Sequence, residues 1–567
     1  MRSRPGMSSF GGGPARGCRR SLPGSRPNRE LGSRTMFVQG GHPLRAREFP
    51  MRWRSLSGAA GALVATGVLF TASAAFAAQG SWPNAGHDLS NSRSADSTIG
   101  VGGAPKLAVK WKVPTAGNIS ATPAVVNGVV YVPDDAGNLY AIDAATHATI
   151  WQKNLSADYG APPGDYSRAT PAVSGNTLVF GDQAGKVFSP DGWVYAVDKR
   201  NGGLLWKTTI AGGYPIITQS ATIVGNTVYI GAASNEELLA RFGFPLTFRG
   251  FFMALDLTTG AVKWKTYMAP AGYTGAAVWG SSPAVDSKRG TVYIATGNNY
   301  SIPDAVTACV AAATSDPQRA ACVPADDMFD AIVALDMNTG AVKWSTRALP
   351  VDAWNVACGI PVPGYDDPVE GCPTNAGPDY DFAQAPMLWK AGGRELVGAG
   401  QKSGIFWALD PDTGAVVWKT QAAPGGLAGG LQWGSATDGV RIYVASANTD
   451  RKPWTLLDGT TVNYGGWAAL DAATGRVIWN RANPAAATAS GAVTVAAGVV
   501  YACSGDTAGH MYAMKASDGT QLWDHASGDF CYSGAAAVDG ALYWGTGYNL
   551  GFELPGQALY AFSVSGK

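Results

Sequence analysis

The sequence predicts an all-β fold, an eight-bladed β-propeller with four-stranded blades. A hairpin motif ending in tryptophan recurs seven times, and a weaker strand–turn–strand pattern precedes most copies. Two half-copies at opposite ends of the chain complete an eighth. Repeated four-stranded units closing on themselves describe a propeller; an open solenoid would cap its ends instead of pairing them.

The motif is clearest in Ala408–Trp418, Ala-Leu-Asp-Pro-Asp-Thr-Gly-Ala-Val-Val-Trp. Ala-Leu-Asp ends one strand, Thr-Gly makes the turn and Ala-Val-Val-Trp begins the next. Gly414 supplies the positive φ of a tight hairpin, and Asp410 offers an acceptor to turn amides. Trp418 must bury a large flat surface. Earlier copies end at Trp151, Trp206, Trp264 and Trp344, and later ones at Trp479 and Trp523. Leu559–Phe562 is a first strand without its partner, and Leu107–Trp111 a second strand without its predecessor. The preceding pattern, as in Ala121–Val132 or Ala221–Ile230, is rich in Val and Tyr, as strands prefer.

Composition agrees. Charged residues make up 15% of the 567, Gly reaches 74 and Trp 19, a mixture that suits a turn-rich β protein and not a helical bundle. Three inserts break the repeat: Asn235 to Gly250, Tyr300 to Asp330, and Leu349 to Pro386. Blade loops open onto one face of a ring, so these inserts predict a rim over a pocket.

Residues 78–567 are expected to form the propeller. Residues 51–77 read as a secretory signal: Arg52 and Arg54, an apolar run from Gly58 to Phe70, and the cleavage site Ala75-Phe76-Ala77. The run is too short for a stable membrane span. Residues 1–50 hold ten Arg and two Glu and read either as a disordered basic arm or as a stretch upstream of a start at Met51, the reading the signal favours. The remaining chain carries 30 basic and 39 acidic residues, a formal net charge of −9, which argues against nucleic acid as a partner. A periplasmic or secreted location follows. Six cysteines remain there, and neighbours in sequence suggest disulfides 309–322, 358–372 and 503–531 among the possible pairings. Histidines number five and never cluster, so zinc is not expected, and no Cys-x-x-Cys-His attaches a haem.

From Trp82-Pro-Asn-Ala-Gly-His-Asp-Leu-Ser-Asn-Ser-Arg93 to its end the chain resembles the quinoprotein alcohol dehydrogenases. The segments Ala233-Ser-Asn-Glu-Glu237, Asp352–Cys358 and Cys372–Phe382 look most like the branch that oxidises polyvinyl alcohol. The resemblance implies pyrroloquinoline quinone (PQQ) and Ca²⁺ as cofactors. It implies that Trp279, in Trp279-Gly280, stacks on the planar quinone, and that Thr218 and Arg168 bond it, Arg168 through a bidentate fork to a carboxylate. Lys402 matches the basic residue at the quinone oxygens. Glu236, with Glu237 as the alternative, and Asn298 match the calcium ligands; a hard cation takes such oxygens from separated segments.

The catalytic base is an Asp in the family. Counting forward from Trp344 reaches Asn355, which cannot act as one. Counting back from Pro386 reaches Asp381 or Asp379, the two candidates, with Asp381 ahead. The implied activity is exported oxidation of polymeric or secondary alcohols, with electrons passing to an external acceptor, a c-type cytochrome. The competing reading is a non-catalytic exported scaffold. A quinone binder without turnover is a third, should Asn355 occupy the base position.

Overall fold

Eight four-stranded antiparallel sheets succeed one another along the chain in the computed structural model, which describes residues 80–183, 189–280, 282–360, 364–549, 553–554 and 556–567. The upstream extension and the signal lie outside the described residues. Blade 1 runs Ala124–Val126, Val129–Pro133, Asn138–Asp143 and Thr149–Asn154, and the next six repeat that order. In blade 8, Leu107–Pro114 pairs antiparallel with Ala558–Val564, placing Leu107 opposite Val564 and Pro114 opposite Ala558. The two half-copies therefore close the ring.

The repeat tryptophans explain why blades stack in register. Each packs on the turn of the following blade, and most give their indole N–H to a carbonyl there: Trp206 to Leu257 O at 2.8 Å, Trp344 to Pro411 O at 3.1 Å, Trp523 to Leu107 O at 2.9 Å. The turn glycine is favoured for two reasons, although blade 1 carries His147 at φ 55 in its place. Gly414 has φ 72, and a Cβ on it would fall 2.6 Å from the Trp344 ring. Blade 5 departs from the pattern. Trp418 packs on Gly475, but its buried indole N–H has no acceptor, and Trp389 in the first strand makes the bond instead, to Ala472 O at 2.8 Å.

The segment Trp82–Ala95 runs across the short first strands of the blades. Trp82 O accepts from Val125, Pro83 O from Val173, Leu89 O from Val285, Ser90 O from Leu388, Ser92 O from Thr437 and Arg93 O from Val495. Ser94–Ala95 then adds a parallel pairing to Thr494–Ala496. One strand of chain thus ties six blades together and walls one side of the central cavity.

The three inserts carry most of the helices; Leu155–Tyr159 and the 3₁₀ turn Ala104–Lys106 lie outside them. Glu236–Leu239 continues into a 3₁₀ turn Ala240–Phe242; Asp304–Ala312 and Asp316–Ala321 are joined by Cys309–Cys322; Val356–Cys358 is tied to the next turn by Cys358–Cys372. The third expected pairing is not formed. Cys503 and Cys531 are buried free thiols beside one another in the core between blades 7 and 8. Among the described residues no helix is long and apolar enough to cross a membrane.

Candidate functional site

Two neighbouring features meet at Trp279. The first is a pocket lined by Trp279, Trp433, Tyr532, Tyr548 and the hydroxyls of Thr122, Thr170 and Thr218, with Arg93 and Arg168 as its cations. The indoles of Trp279 and Trp433 meet edge to face at 5.5 Å, and Tyr532 stacks on Tyr548 at 5.0 Å. Arg168 lies 5.3 Å over Trp433 and 5.7 Å over Tyr548, and its Nη1 donates to the Tyr548 hydroxyl at 2.8 Å. Its Nε and the Trp433 Nε1 are buried donors without acceptors. Thr218 Oγ1 donates to Trp279 O at 3.3 Å, which fixes the backbone of that tryptophan.

Arg93 is buried and donates to Ala85 O, to Val493 O at 2.7 Å, and to Thr122 and Thr494 hydroxyls at 3.2 Å. It has no carboxylate partner among the described residues, and burial pushes its guanidinium down to about 9.

The second feature is a buried ion triad. Lys402 Nζ lies 2.8 Å from Asp379 Oδ1 and 2.9 Å from Asp381 Oδ2, and 5.6 Å over the Trp279 ring. Burial opposes the Lys402 charge, but Asp379 and Asp381 outweigh it and hold the ammonium above the ordinary lysine value. Burial also pushes the Asp379 carboxyl well up, against the pull of Lys402. Asp381 Oδ1 accepts the Asn298 N–H at 2.6 Å, and Asn298 Nδ2 donates to Trp354 O at 2.7 Å, leaving Oδ1 as an acceptor. Gly297 makes the approach possible, since a Cβ there would fall 2.6 Å from Asp381 Oδ1 and 3.1 Å from Trp279 Nε1.

The structure therefore brings Trp279, Asn298, Asp379, Asp381 and Lys402 together, with Thr218 and Arg168 on the adjoining cavity. It does not bring Glu236. Both Glu236 oxygens are spent on the insert itself, taking the Thr247 hydroxyl, the Thr247 N–H and the Phe248 N–H at 2.7 Å. Glu237, one residue on, is half-buried and feels the triad's charge: burial first, then Asp381, push its carboxyl up to about 8. Asn355 is not in the base position either. It caps the 3₁₀ turn, accepting from Ala357 N at 2.9 Å and donating to Tyr300 O and Gly371 O.

Sequence reading passed over Trp433, Tyr548 and Arg93. Trp433-Gly434 carries the signal that singled out Trp279-Gly280, a tryptophan outside the hairpin register before a blade. Tyr548 and Arg93 have no such mark.

The family model PQQ_2, described as outer membrane protein assembly factor BamB, matches residues 106–346 and 402–560. The chain belongs to this PQQ_2 propeller family. The unmatched stretch between the two matches holds Asp379 and Asp381, so family membership covers the ring and stops short of the triad's acids. Among curated relatives the chain is similar to a polyvinylalcohol dehydrogenase of Pseudomonas sp, 28% identical over 82% of this chain and 73% of that one. It is 29% identical to a second, from Sphingopyxis sp. (strain 113P3), with the same two coverages. In fold, this PQQ_2 propeller resembles the quinohemoprotein alcohol dehydrogenase of Comamonas testosteroni, with TM-score 0.64 and 20% identity over 87% of this chain and 82% of that one. Its named relatives are thus quinoprotein alcohol dehydrogenases, polyvinyl alcohol dehydrogenases among them.

Proposed function

We propose that the chain is an exported quinoprotein that oxidises polymeric or secondary alcohols with PQQ and Ca²⁺. The observation that carries the reading is the cavity's unmet demand. It offers aromatic walls, two guanidinium groups without carboxylate partners, and two buried donors without acceptors. Buried donors left unpaired are costly, and a planar, oxygen-rich anion would satisfy them. PQQ, a planar tricarboxylate, fits that demand; when bound it accepts the hydride from the carbinol carbon.

The chain's own residues do the rest. Arg168 would fork onto a carboxylate while Trp279 packs on the ring plane and Trp433, set edge to face with it, bounds the rim. Lys402 would donate to quinone oxygens from its place over Trp279. Glu237 and Asn298 would hold the calcium ion, supplemented by cofactor oxygens. Asp379 is assigned as the base that takes the hydroxyl proton, because Asp381 is engaged on one oxygen by the Asn298 N–H and on the other by Lys402. Asp381 instead fixes Lys402 and the Asn298 loop. Electrons then pass to an external c-type cytochrome, consistent with a chain lacking a haem-attachment motif.

The test is a titration of purified protein with PQQ in the presence of Ca²⁺, followed by tryptophan fluorescence. One saturable equivalent, weakened by Arg168→Met, supports the reading. Absence of saturable quenching would overturn it in favour of the scaffold.

A further inference from the structure

Beside the triad lies a second pair of acids to which the proposed chemistry assigns no part. Asp330 ends the second insert, directly before the strand Ala331–Asp336, with φ 41 and its N–H on Gly297 O at 3.0 Å. Asp352 stands in the third insert, and its carbonyl accepts the Asn299 N–H at 3.0 Å. Both side chains are fully buried. Asp330 Oδ1 and Oδ2 and Asp352 Oδ1 have no donor among the described residues, and burial, then the Asp352 charge, push the Asp330 carboxyl well up. Two buried acids that raise one another in this way resist ionising together.

The remaining oxygen is what connects the pair to the triad. Asp352 Oδ2 accepts the Tyr380 N–H at 2.9 Å, directly after Asp379. The chain wraps tightly here: Gly377 has φ 99, and a Cβ on it would fall 2.5 Å from Asp352 Oδ1. Asp379 itself sits at φ 58, a left-handed conformation that is unfavourable for a residue with a Cβ. Something must hold it there, and the Asp352 carboxylate is placed to do so.

We propose that Asp352, through the Tyr380 N–H it accepts, is a positioning residue that fixes the left-handed turn at Asp379 and so aims that carboxylate past Lys402 at the alcohol. It touches neither alcohol nor quinone. The inference rests on the alcohol-oxidation reading, and a displacement on the order of 1 Å at such a group costs about 100-fold in rate.

The experiment uses protein loaded with PQQ and Ca²⁺, with rates normalised to bound quinone. Asp352→Ala is expected to lower kcat about 100-fold while KM for 2-propanol and quinone affinity hold within about 2-fold. Asp352→Asn keeps an acceptor for the Tyr380 N–H and a donor for Asp330, so it should recover at least tenfold of that loss. An unchanged kcat per bound quinone in Asp352→Ala would overturn the proposal, as would equal losses in the Ala and Asn variants. Amide exchange at Tyr380 reads the same claim without turnover: slow in the parent and in Asp352→Asn, fast in Asp352→Ala. If the parent binds quinone but oxidises no alcohol, the functional reading fails while the exchange result still decides whether Asp352 holds the turn; equally slow exchange in all three would overturn that.

Discussion

The Lys402 ammonium lies 2.8 Å from Asp379 Oδ1, and at 10% and 4% side-chain exposure this is the most buried ion pair among the described residues, matched only by its twin to Asp381. Removing one partner of a buried pair leaves an uncompensated charge and costs about 3–5 kcal/mol. Lys402→Met should therefore lower the unfolding midpoint and abolish quinone binding together. Lys402→Arg should keep most of the stability. Denaturant unfolding of both variants checks this.

Glu236 and Glu237 should part company under substitution. Glu236→Gln breaks the acceptor set of the Thr247–Phe248 turn and should cost about 1–3 kcal/mol of stability, with calcium affinity little changed. Glu237→Gln should weaken calcium binding at least tenfold with little change in the unfolding midpoint. Calorimetric calcium titration of the quinone-loaded protein separates the two.

Burial pushes the Asp327 carboxyl up to about 7, partly offset by the Asn299 amide at 2.7 Å and by Arg347. The folded chain therefore holds a proton that the unfolded chain has already released. Such a group favours folding fully below the unfolded carboxylate value and loses that contribution as pH rises toward 7. The cofactor-free protein should lose stability between pH 4 and pH 7, and Asp327→Asn should flatten that slope, as read from unfolding midpoints across the range.

Cys503 and Cys531 are both buried, and burial together with the neighbouring Cys503 raises the Cys531 thiol well above its ordinary value. Native protein should leave both thiols unreacted with a disulfide reagent, and unfolding without reductant should expose both. A third disulfide would leave no thiol to react on unfolding.

At Gly414, replacement by Ala should cost about 2 kcal/mol, since a left-handed residue and a crowded Trp344 ring both resist a methyl group. The loss should appear in the unfolding midpoint with turnover per bound quinone intact.

The ring was legible because the hairpin repeats a local necessity: a glycine turn, an Asp acceptor and a tryptophan that must pack on the next turn. Its closure was legible for the same reason, as Leu107–Trp111 and Leu559–Phe562 are complementary halves. The site was less so. Trp279, Asn298 and Lys402 were named from short matches and meet in the structure, but which of two adjacent glutamates keeps its oxygens free of the insert's own donors depends on the helical turn at Glu236–Leu239. The choice between Asp379 and Asp381 depends on what occupies their oxygens. Asp352 was visible only as part of a motif, because its partners Asp330 and Tyr380 come from 22 and 28 residues away.

The most direct test is dye-linked turnover of a secondary alcohol by protein loaded with PQQ and Ca²⁺. The account predicts turnover that requires both cofactors, stops on chelation, and is lost in Asp379→Asn while quinone stays bound. Turnover that survives removal of either cofactor, or undiminished turnover by Asp379→Asn, would contradict it.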